Sequence, residues 1–491
     1  MKKETEVLII GGGVVGTAIA RELAKYKLDI TLVEKEADVC TGTSKANTAL
    51  LHAGFNADFN TLKGKLNVRG NELYHQLEKE LDVPIEWIGA LVVAKKKSEI
   101  AKLEELLENG QQNGVPDLEI LKREELFELE PNLNSDAIAA LYAPTAGIVN
   151  PFELTVAFAK NAVENGVEIL LEAEVLDIEE QNDYKLVRTA QGDIEAELVI
   201  NVAGLYSDKI ASMVGIDDFE ITPRKGEYYL YDKKLDIDVN HTIFPVPTEV
   251  SKGIVITPTD EMNLLIGPNV EEVADKSDLV NTREGLDELM KGAQRLIPEL
   301  GMKKVIKQFS GLRAAIKETG DFLIEASEKV KGFINVAGIQ SPGLASAPAI
   351  AEMVVGIVKG EYGELELDTK FNSNYQGIPR FRHMSHQERA KLIEKNKDYG
   401  EIICRCETVT KGEIIEAIRE PVGARTVNAV KRRVRPGSGR CQGGFCEPKV
   451  VEILAEELGI EPTEVKLEGE DSQLLVEPVK ESLQKEVSDS E

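Results

Sequence analysis

Cysteine, histidine and tryptophan are scarce in this chain of 491 residues, which contains 5, 5 and 1 of them respectively. So few cysteines exclude the disulfide-rich scaffold of a small secreted protein, and they favour a reducing, cytoplasmic setting. A continuous apolar run of about 18 residues, the length that spans a bilayer, is also missing. Because the first residues lead directly into a strand-like run that glycines soon interrupt, we expect no signal peptide. Contact with the inner face of a membrane would then depend on a partner.

Basic residues are in short supply as well. Asp and Glu number 86 against 58 Lys and Arg, which gives a formal net charge of -28. Binding to nucleic-acid phosphates depends on clustered Lys and Arg, so this composition argues against a nucleic-acid partner. The hydrophobic fraction of 42% is ordinary for a globular protein, and the length predicts two or more domains.

The glycine pattern GxGxxG occurs near the start of the chain, at Gly11, Gly13 and Gly16. A wholly apolar run at 7–10 precedes it, as in a buried parallel strand, and helical spacing of apolar residues follows it. Such glycines allow a tight turn and a close approach of the backbone to a pyrophosphate, which a helix N-terminus favours. Glu34 follows Gly16 by 18 residues, at the end of the next predicted strand, where its carboxylate can bind ribose hydroxyls. The region therefore predicts a βαβ dinucleotide-binding unit.

Later segments predict a second domain, inserted between elements of the dinucleotide-binding domain. The first half of the chain carries the patterns of helices at 61–81, 99–109 and 150–165 and of strands at 167–178 and 198–202. Residues 215–330 are rich in β-branched and aromatic residues punctuated by Gly, Pro and Asp, which is typical of a mixed or antiparallel sheet. A strand at 332–338 and an apolar helix at 345–358 then complete the first domain. The predicted fold class is α/β, a Rossmann-like domain with an inserted mixed β-sheet domain.

Four of the five cysteines, Cys404, Cys406, Cys441 and Cys446, form two close pairs late in the sequence. Thiolates in such pairs suit zinc and iron-sulfur clusters, because the intervening chain can bring the pairs together. Zinc sites usually show CxxC spacing, which is not the spacing here. A cluster is the favoured interpretation, and structural zinc, redox thiols or a disulfide are the alternatives. Cys40 is expected to be a buried and inert thiol, although its place near the glycine loop leaves a redox role open.

The segments 404–407 (Cys-Arg-Cys-Glu) and 439–446 (Gly-Arg-Cys-Gln-Gly-Gly-Phe-Cys) resemble the module of bacterioferritin-associated ferredoxin, which also occurs at the C-terminus of several flavin dehydrogenases. This resemblance implies that the four cysteines hold a [2Fe-2S] cluster in a small, α-rich domain at about 401–465. Within that domain, Thr410 and Glu413 have the spacing of a capping box at the start of a helix.

A basic run from Lys431 to Arg435, together with Arg440, lies between the two cysteine pairs. Two interpretations are open. The cations favour the reduced cluster or guide an acidic electron acceptor. Alternatively, they form ion pairs with the surplus carboxylates of the protein itself.

Three further motifs resemble the FAD-dependent amine and hydroxy-acid oxidoreductases, the family of D-amino-acid oxidase and the flavin-dependent glycerol-3-phosphate dehydrogenases. They are Thr-Ser-Lys-Ala-Asn at 43–47 with His-Ala-Gly at 52–54, Asn-Val-Ala-Gly at 201–204, and Gly-Ile-Gln-Ser-Pro-Gly-Leu at 338–344. The resemblance covers most of residues 5–360 and implies a bound FAD. Beyond the glycine loop and Glu34, it implies cofactor contacts at Thr43, Ser44, Val175, Ala203, Gly204, Gly338, Gly343 and Leu344.

The domain organisation that follows has four parts. The oxidoreductase occupies 1–370, the [2Fe-2S] domain occupies 401–465, a polar connector at 371–400 joins them, and an acidic, mobile tail covers 466–491. Within the oxidoreductase, the FAD-binding parts are expected at about 1–80, 145–215 and 330–365, and the substrate domain at about 81–144 and 216–329.

His52 and Arg313 are the candidate active-site residues. A flavin accepts a hydride from a carbon that bears a hydroxyl or an amine, while a base within hydrogen-bond reach takes the heteroatom proton. His52 resembles the active-site histidine of the glycerol-3-phosphate and L-2-hydroxyglutarate flavoenzymes. Arg313 resembles the arginine that binds the anionic end of the substrate, to which a planar guanidinium is suited. Lys225 and Tyr228 are secondary candidates for the wall of the substrate chamber. The alternatives are that His52 has a structural role, that Arg313 forms a surface ion pair, and that Lys225 and Tyr228 belong to an ordinary sheet surface.

Taken together, the sequence and these resemblances imply an FAD-dependent dehydrogenase of a small anionic alcohol. The favoured reaction is oxidation of glycerol 3-phosphate to dihydroxyacetone phosphate, since the segment 147–152 and the setting of His52 resemble glycerol-3-phosphate dehydrogenases. The alternatives are an L-2-hydroxyglutarate dehydrogenase, an amino-acid or opine dehydrogenase subunit, and a non-catalytic electron-transfer flavoprotein. FAD takes up two electrons and a [2Fe-2S] cluster carries one. Electrons would therefore leave through the cluster to an acceptor protein or a quinone-linked subunit, the latter within a hetero-oligomer.

Overall fold

The computed structural model describes residues 3–247 and 253–477, and the chain divides into two compact units. The first unit spans Met1–Lys35 and Val39–Gly377, and the second spans Glu36–Asp38 and Ile378–Glu491. The strands of the described residues are β1 (Lys3–Ile10), β2 (Ile30–Val33), β3 (Leu50–Leu51), β4 (Ile85–Glu86), β5 (Ala90–Ala94), β6 (Glu119–Lys122), β7 (Ala139–Ala143), β8 (Gly147–Val149), β9 (Glu168–Leu170), β10 (Val175–Glu180), β11 (Lys185–Thr189), β12 (Gly192–Asn201), β13 (Ile221–Tyr231), β14 (Thr242–Pro245), β15 (Ile256–Pro258), β16 (Leu264–Ile266), β17 (Glu271–Glu272), β18 (Val305–Ile316), β19 (Leu323–Ala326), β20 (Phe333–Ala337), β21 (Ile402–Cys404) and β22 (Val409–Thr410). The α-helices are α1 (Val14–Leu23), α2 (Leu62–Glu80), α3 (Lys97–Asn113), α4 (Arg123–Leu129), α5 (Pro151–Glu164), α6 (Ser207–Ser212), α7 (Arg283–Leu296), α8 (Gly343–Tyr362), α9 (His386–Lys395), α10 (Lys411–Arg419), α11 (Val427–Val434) and α12 (Glu447–Leu458).

An eight-stranded sheet forms the centre of the first unit. Its order is β10-β11-β12-β1-β2-β9, with β20 beside β12 and β19 beside β20. The middle of the sheet is parallel, since β1 pairs with β12 on one side and with β2 on the other. Val7 and Ile9 face a core shared with α1, α5 and α8, whereas Leu8 and Ile10 face a second core that includes residues of α6. Burial on both faces explains the unbroken apolar run in β1. The α/β class and the Rossmann-like arrangement are confirmed.

The single strand predicted at 167–178 is two strands in the structure. β9 pairs in parallel with β2, whereas β10 pairs with β11 in the antiparallel sense. Between them, Glu172 has a φ of 54°, in the left-handed region that interrupts an extended chain. The apolar pattern continues across this turn, so periodicity does not reveal it.

The inserted mixed sheet is also confirmed, and it contains nine strands. Their order is β17-β13-β16-β15-β14-β5-β7-β6, with β18 beside β13. The pair β14 and β5 is parallel, and the long pair β13 and β18 is antiparallel, with Arg224 opposite Arg313. Helix α7 covers one face of the sheet through residues such as Leu289 and Ala293. The short strand β19 falls in the range predicted for this domain, but it pairs with β20 of the central sheet.

Helix α8 contains a proline in its interior, Pro348. Because proline has no N–H group, the carbonyl of Leu344, four residues earlier, loses its helical donor. The hydroxyl of Tyr74 on α2 donates to that carbonyl instead, at 2.7 Å. The two helices also approach closely at Gly70, where a Cβ atom would lie 2.0 Å from the carbonyl oxygen of Ala345. These contacts fix the start of α8 against α2.

Among the helices of residues 3–247 and 253–477, α8 is the one that is long and apolar enough to cross a membrane. Within the protein, 61% of its most apolar stretch is buried. Its buried residues, including Ile350, Val354 and Val358, belong to the core of the first unit. Packing in that core accounts for its apolar composition.

The second unit is small and mostly helical. Its core is formed by α10, α11 and α12, with residues such as Ile414, Val430 and Leu454, beside the two-stranded sheet of β21 and β22. The predicted capping box at Thr410 is present. The hydroxyl of Thr410 accepts a hydrogen bond from the backbone N–H of Glu413 at 3.2 Å, and the carboxylate of Glu413 accepts one from the N–H of Thr410 at 2.7 Å.

The predicted connector at 371–400 contains a helix, α9, and from Ile378 onward it belongs to the second unit. A capping box between Ser385 and Glu388 starts this helix, and none of its residues is buried. An exposed helix needs no apolar face, which is why the periodicity of the sequence does not predict it.

The predicted mobile tail begins with an ordered segment. The backbone carbonyls of Lys466 and Leu467 accept hydrogen bonds from the first two residues of α11, at 3.1 and 2.9 Å. The start of the tail is therefore packed against the second unit, which corrects the prediction for these residues. Residues 478–491 of the predicted tail lie outside the described residues.

A buried group of ion pairs in the second unit is centred on Asp38, which is 2% exposed. Its carboxylate accepts hydrogen bonds from Arg432 at 2.9 Å and from two nitrogens of Arg433 at 2.7 and 2.8 Å. Arg432 also binds Glu468 at 2.7 Å. Burial by itself raises the pKa of Asp38, but the charges of Arg433 and Arg432 outweigh it and hold the pKa below its usual range.

Replacing Asp38 with asparagine is expected to destabilise the second unit by about 3 to 5 kcal/mol, because the buried guanidinium of Arg433 loses its carboxylate and that of Arg432 keeps only Glu468. The midpoint of urea unfolding, followed by circular dichroism, measures the loss. The control is Asp177→Asn, which removes a surface ion pair with Arg188 and should leave the midpoint nearly unchanged. Equal shifts in the two variants would contradict the role given to Asp38.

The stabilisation that Asp38 provides should depend on pH. Since the native pKa of Asp38 is lowered, its stabilising contribution is complete above the ordinary aspartate value of about 4 and is lost as the pH falls through the lowered native value. The difference in stability between the wild type and Asp38→Asn should therefore be full near neutrality and narrow below about pH 4.

Candidate cofactor and substrate sites

The glycine loop between β1 and α1 leaves no room for side chains. A Cβ atom at Gly16 would lie 2.0 Å from the carbonyl oxygen of Gly11, and one at Gly11 would lie 2.5 Å from the carbonyl oxygen of Val202. Gly11 also has a φ of 123°, which residues with a side chain rarely adopt. Gly13 is the N-cap of α1 and provides no side-chain cap. The helix start therefore has no anionic cap of its own, as a pyrophosphate site requires.

Glu34 lies beside this loop, at the end of β2. Its Oε2 accepts a hydrogen bond from the backbone N–H of Gly12 at 2.7 Å. Its backbone carbonyl accepts another from the N–H of Ala173 at 2.9 Å, two residues before the buried Val175 at the start of β10. The glycine loop, Glu34 and Val175 thus meet at the C-terminal ends of parallel strands, which is where dinucleotides bind in such sheets.

The segment that starts at Thr43 connects the glycine loop with the second sheet. The hydroxyl of Ser44 accepts a hydrogen bond from the N–H of Val14, the first residue of α1, at 3.0 Å. The hydroxyl of Thr43 donates to the carbonyl of Leu312 at 2.7 Å. Leu312 directly precedes Arg313 on β18. The two predicted cofactor residues therefore lie between the start of α1 and the strand that carries the candidate anion-binding residue.

The other predicted cofactor residues follow β12 and β20, two strands that pair in parallel. They are Ala203 and Gly204 after β12, Gly338 after β20, and Gly343 and Leu344 at the start of α8. Gly338 has a φ of 69°, in the left-handed region. Residues from distant motifs thus follow neighbouring strands of the central sheet.

His52 is held at both its backbone and its ring. The side-chain amides of Asn67 and Asn71 donate to its carbonyl oxygen at 2.6 and 3.3 Å. Its ring nitrogen Nε2 lies 3.3 Å from the hydroxyl oxygen of Ser341, and its ring centroid lies 6.0 Å from that of Phe244. An imidazole oriented in this way can take a proton from an alcohol.

Arg313 has no carboxylate partner among the described residues. Its Nη2 donates to the backbone carbonyls of Asn269 at 2.9 Å and Lys225 at 3.4 Å, while its Nε is buried without a hydrogen-bond partner. Burial is the main cause that lowers the pKa of Arg313, and the charge of Arg224 adds to it. A buried guanidinium with an unpaired N–H group is suited to a phosphate or carboxylate.

The two secondary candidates lie on opposite faces of β13, because neighbouring side chains in a strand alternate. Tyr228 is buried on the face that Arg313 shares, and it stacks on an aromatic ring of β18 with centroids 4.7 Å apart. Lys225 is on the other face, where its Nζ binds Asp278 at 2.9 Å and Glu271 at 3.2 Å. The side chain of Lys225 therefore lies on the face opposite to that of Arg313, and its place in the substrate wall stays a prediction. Tyr228 stays a candidate.

Ser341 and the two asparagines were not identified from the sequence. Ser341 lies within a motif, but it is 289 residues from His52 along the chain, so the sequence does not show their contact. Asn67 and Asn71 are four residues apart, which places them on one face of a helix. That spacing is the only sequence signal for their shared contact with His52.

Lys63 is a fourth residue near this site that was not identified from the sequence. Its Nζ donates to the carbonyl of Gly320, to which the amide of Gln340 also donates at 3.5 Å. Burial lowers the pKa of Lys63 to about 8, although the charge of Asp321 opposes the shift. A lysine of this kind next to the 338–344 motif adds positive charge at the edge of the site.

The four cysteines of the second unit come together. The sulfur atoms of Cys404 and Cys406 are 3.7 Å apart, and those of Cys406 and Cys441 are 3.9 Å apart. Cys446 is hydrogen-bonded to Cys404. No three His, Cys, Asp or Glu side chains surround one ion position within 3–247 and 253–477. A [2Fe-2S] centre takes two thiolates for each iron and does not need such a group.

The backbone around the thiols fits a cluster. The N–H groups of Gly437 and Glu407 donate to the sulfur of Cys404, as is usual for sulfur ligands of metal centres. A Cβ atom at Gly439 would lie 2.5 Å from the sulfur of Cys406. Burial, with the neighbouring thiols, raises the pKa of Cys406 to about 12. Thiols crowded in this way lose their protons when a metal supplies compensating positive charge.

Most of the arginines in the basic run between the cysteine pairs form ion pairs within the second unit. Arg432 and Arg433 are buried on Asp38, and Arg435 binds Glu407 at 3.4 Å. The ion-pair interpretation is confirmed for these three residues. Arg440 is exposed.

Cys40 is buried, as expected. Its sulfur lies 3.6 Å from the carbonyl oxygen of Pro151, and its backbone N–H donates to the carbonyl of Gly12 at 3.0 Å. These contacts fit a packed thiol beside the glycine loop, and a redox role stays a prediction.

Comparison with known proteins agrees with both sites. Residues 6–357 match the family profile described as FAD dependent oxidoreductase, and residues 402–456 match the one described as BFD-like [2Fe-2S] binding domain. The glycerol 3-phosphate dehydrogenase of Caloramator mitchellensis is 49% identical over 98% of this chain and 100% of that protein. The anaerobic glycerol-3-phosphate dehydrogenase subunit A1 of Haloferax volcanii is 27% identical over 93% of this chain and 84% of that protein.

Among solved structures, the dithionite-reduced L-alpha-glycerophosphate oxidase from Mycoplasma pneumoniae with FAD bound matches with a TM-score of 0.73. It is 32% identical, and the match covers 76% of this chain and 98% of that one. The first profile includes the glycine loop, Glu34 and the motifs up to 344, and the second includes all four clustered cysteines. Both expected cofactors, FAD and a [2Fe-2S] cluster, are confirmed.

Gly16→Ala is expected to weaken FAD binding by at least about tenfold, which corresponds to about 1.4 kcal/mol or more, and so to lower the FAD content of the purified protein. The added methyl group would overlap the carbonyl oxygen of Gly11 and force the loop apart. The ratio of flavin absorbance to protein measures the effect. The control is Gly356→Ala on the exposed side of α8, because nothing lies within 4 Å of a Cβ atom there. Full FAD content in Gly16→Ala would show that the loop does not hold the cofactor.

Proposed function

Because this chain belongs to the family of FAD dependent oxidoreductases and carries a BFD-like [2Fe-2S] binding domain, we propose that it oxidises glycerol 3-phosphate to dihydroxyacetone phosphate. Electrons pass from FAD through the cluster to an external acceptor. The observation that carries the proposal is Arg313, since its buried guanidinium with an unpaired Nε calls for an anionic substrate. The relative that is 49% identical over 98% of this chain bears the name of this activity.

When bound, FAD supplies a hydride acceptor and the cluster supplies single-electron transfer. The residues proposed to hold FAD are Gly11, Gly13, Gly16, Glu34, Thr43, Ser44, Val175, Ala203, Gly204, Gly338, Gly343 and Leu344. Those proposed to hold the cluster are Cys404, Cys406, Cys441 and Cys446.

His52 is the proposed general base. Its Nε2 would accept the proton of the C2 hydroxyl as the hydrogen on C2 leaves with its electron pair. The hydroxyl of Ser341 lies 3.3 Å from the same nitrogen, and the C2 hydroxyl would replace it there, because this nitrogen has a single lone pair. The two amides on the backbone carbonyl of His52 hold the residue in place, so that the ring does not have to be ordered at the moment of reaction.

Arg313 is the proposed phosphate-binding residue, and Tyr228 the proposed wall of the chamber beside it. The buried guanidinium offers N–H donors in a fixed plane, which matches the oxygens of a phosphate. A carboxylate has the same complementarity, so L-2-hydroxyglutarate is the second candidate substrate. Arg313 by itself selects the anion and not the rest of the molecule.

We further propose that the electron acceptor is a separate protein or a quinone-linked subunit. A relative named as subunit A1 of an anaerobic dehydrogenase supports a multi-subunit setting. The cluster thiols need a reducing compartment, and we propose the cytoplasm. Contact with the inner face of a membrane would then be made through the partner.

An anaerobic substrate panel tests the function. The purified enzyme is mixed separately with glycerol 3-phosphate, glycerol, L-2-hydroxyglutarate and L-proline, while one spectrum records both the flavin and the cluster. Glycerol 3-phosphate is expected to bleach both chromophores fastest. Bleaching by L-2-hydroxyglutarate or L-proline alone would reject the substrate. A flavin that stays oxidised with all four would instead support a non-catalytic electron-transfer protein.

His52→Ala is expected to slow flavin reduction by glycerol 3-phosphate about 100-fold or more, because the general base is lost. Stopped-flow absorbance measures this rate, and the FAD content should be unchanged. The matched control is His75→Ala, since His75 stacks on Trp87 with centroids 4.1 Å apart and is not assigned to the site. A near-normal rate in His52→Ala would exclude the residue as the base.

Arg313→Ala is expected to lower kcat/KM for glycerol 3-phosphate about 100-fold, since a charge-assisted pair of hydrogen bonds to the phosphate is lost. Glycerol, which has no phosphate, is the internal control substrate, and its kcat/KM should change little. Arg313→Lys should recover part of the loss. Equal losses for both substrates would mean that Arg313 supports the fold and does not recognise the phosphate.

A further inference from the structure

The clustered cysteines are unequally exposed. Cys404 and Cys446 are buried, whereas Cys441 is partly exposed and Cys406 is exposed. The centre therefore has one closed side and one open edge. The edge is where an electron has the shortest path out of the protein.

An exposed aromatic side chain lies in the same ligand loop. Phe445, immediately before Cys446, is 88% exposed, whereas Phe59, the next most exposed phenylalanine among the described residues, is 41% exposed. The loop is a tight turn in which the N–H of Gly444 donates to the carbonyl of Cys441 at 3.1 Å. Phe445 adds nothing to the core of the second unit. Large aromatic side chains that stay in solvent are typical anchors of protein interfaces.

Exposed positive charge surrounds the open edge. Arg405, between two of the cysteines, and Arg440, next to a third, are both exposed. Glu407, the carboxylate next to Cys406, is buried and binds Arg435 at 3.4 Å. In a chain whose net charge is -28, a local cationic surface favours a partner with an acidic face.

We propose that Arg405, Cys406, Arg440, Gly444 and Phe445, here called the cluster edge, form the docking surface for an acidic one-electron carrier protein. Phe445 is the apolar anchor of the contact, and the two arginines steer the carrier and fix its orientation. This inference rests on the proposed function, in which electrons leave through the cluster.

The electron balance sets the stoichiometry. Each glycerol 3-phosphate gives up two electrons and two protons in becoming dihydroxyacetone phosphate. Two molecules of a one-electron carrier are therefore reduced for each substrate, and the two protons are released to solvent. Each carrier has to dock and leave in turn, so a compact anchor with a charged rim suits the contact better than a large permanent interface.

Two forms of one carrier test the charge preference. Native cytochrome c is basic, and succinylated cytochrome c is acidic, while both take one electron at the same haem. The full-length holoenzyme with glycerol 3-phosphate should reduce the succinylated form faster at low salt, and the preference should fade as salt screens the charges. Arg405→Glu should reverse the preference, whereas Arg283→Glu, an exposed site on the first unit, should preserve it.

Phe445→Ala tests the anchor. It should lower the second-order rate constant with succinylated cytochrome c about tenfold, as for an interface hot spot. Reduction of ferricyanide, and anaerobic bleaching of flavin and cluster by glycerol 3-phosphate, should be unchanged. Leu176→Ala, which truncates a side chain that is 58% exposed on the first unit, is the matched control.

Several results would overturn the proposal. One is an unchanged rate in Phe445→Ala, and another is an equal loss in Leu176→Ala. A change from dimer to monomer in Phe445→Ala on sedimentation would assign the surface to a second copy of the chain. Loss of binding to phosphatidylglycerol vesicles would assign it to a membrane. If glycerol 3-phosphate does not reduce the cluster, the proposed function fails separately, and enzyme reduced with dithionite still tests the docking surface.

Discussion

Close backbone contact around Gly11 is the constraint on which the first unit depends. Gly11 lies against Val202 on one side and Gly16 on the other, at distances that admit no Cβ atom. This contact aligns the ends of β1, β2 and β12, so that motifs from distant parts of the chain share one sheet edge. The segment from Thr43 then extends from that edge to β18 and Arg313. The candidate anion-binding residue Arg313 is therefore connected to the same packing that forms the cofactor loop.

The parts of the site that depend on local spacing could be predicted from the sequence. The glycine loop and Glu34 lie within one βαβ unit, and the cysteine pairs lie within one small domain, so short-range geometry determines them. The parts that could not be predicted depend on contacts between distant segments. Ser341 meets His52 across 289 residues, and Arg433 meets Asp38 across 395. Neither contact has a signature in spacing or composition.

The sequence also did not show which face of a strand a side chain occupies, or which helices are exposed to solvent. Lys225 and Tyr228 are both predicted to line the substrate chamber, but the pleat of β13 places their side chains on opposite faces, a separation that the prediction did not draw from their spacing. Helix α9 was missed because none of its residues is buried. The strand predicted at 167–178 was wrong because Glu172 turns the chain without interrupting the apolar pattern. In each case tertiary context decided what periodicity left open.

The second unit is not a continuous piece of chain, because Glu36–Asp38 belongs to it. The evolution of such a two-domain protein is therefore constrained at position 38 as well as in the C-terminal domain. Joining a cluster-binding cassette to the end of a flavoprotein gene would not complete the unit, since the host must also provide an acid a few codons after Glu34. Position 38 and positions 432 and 433 are thus expected to vary together among related proteins. In relatives that lack the cluster-binding domain, position 38 should no longer require an acidic residue.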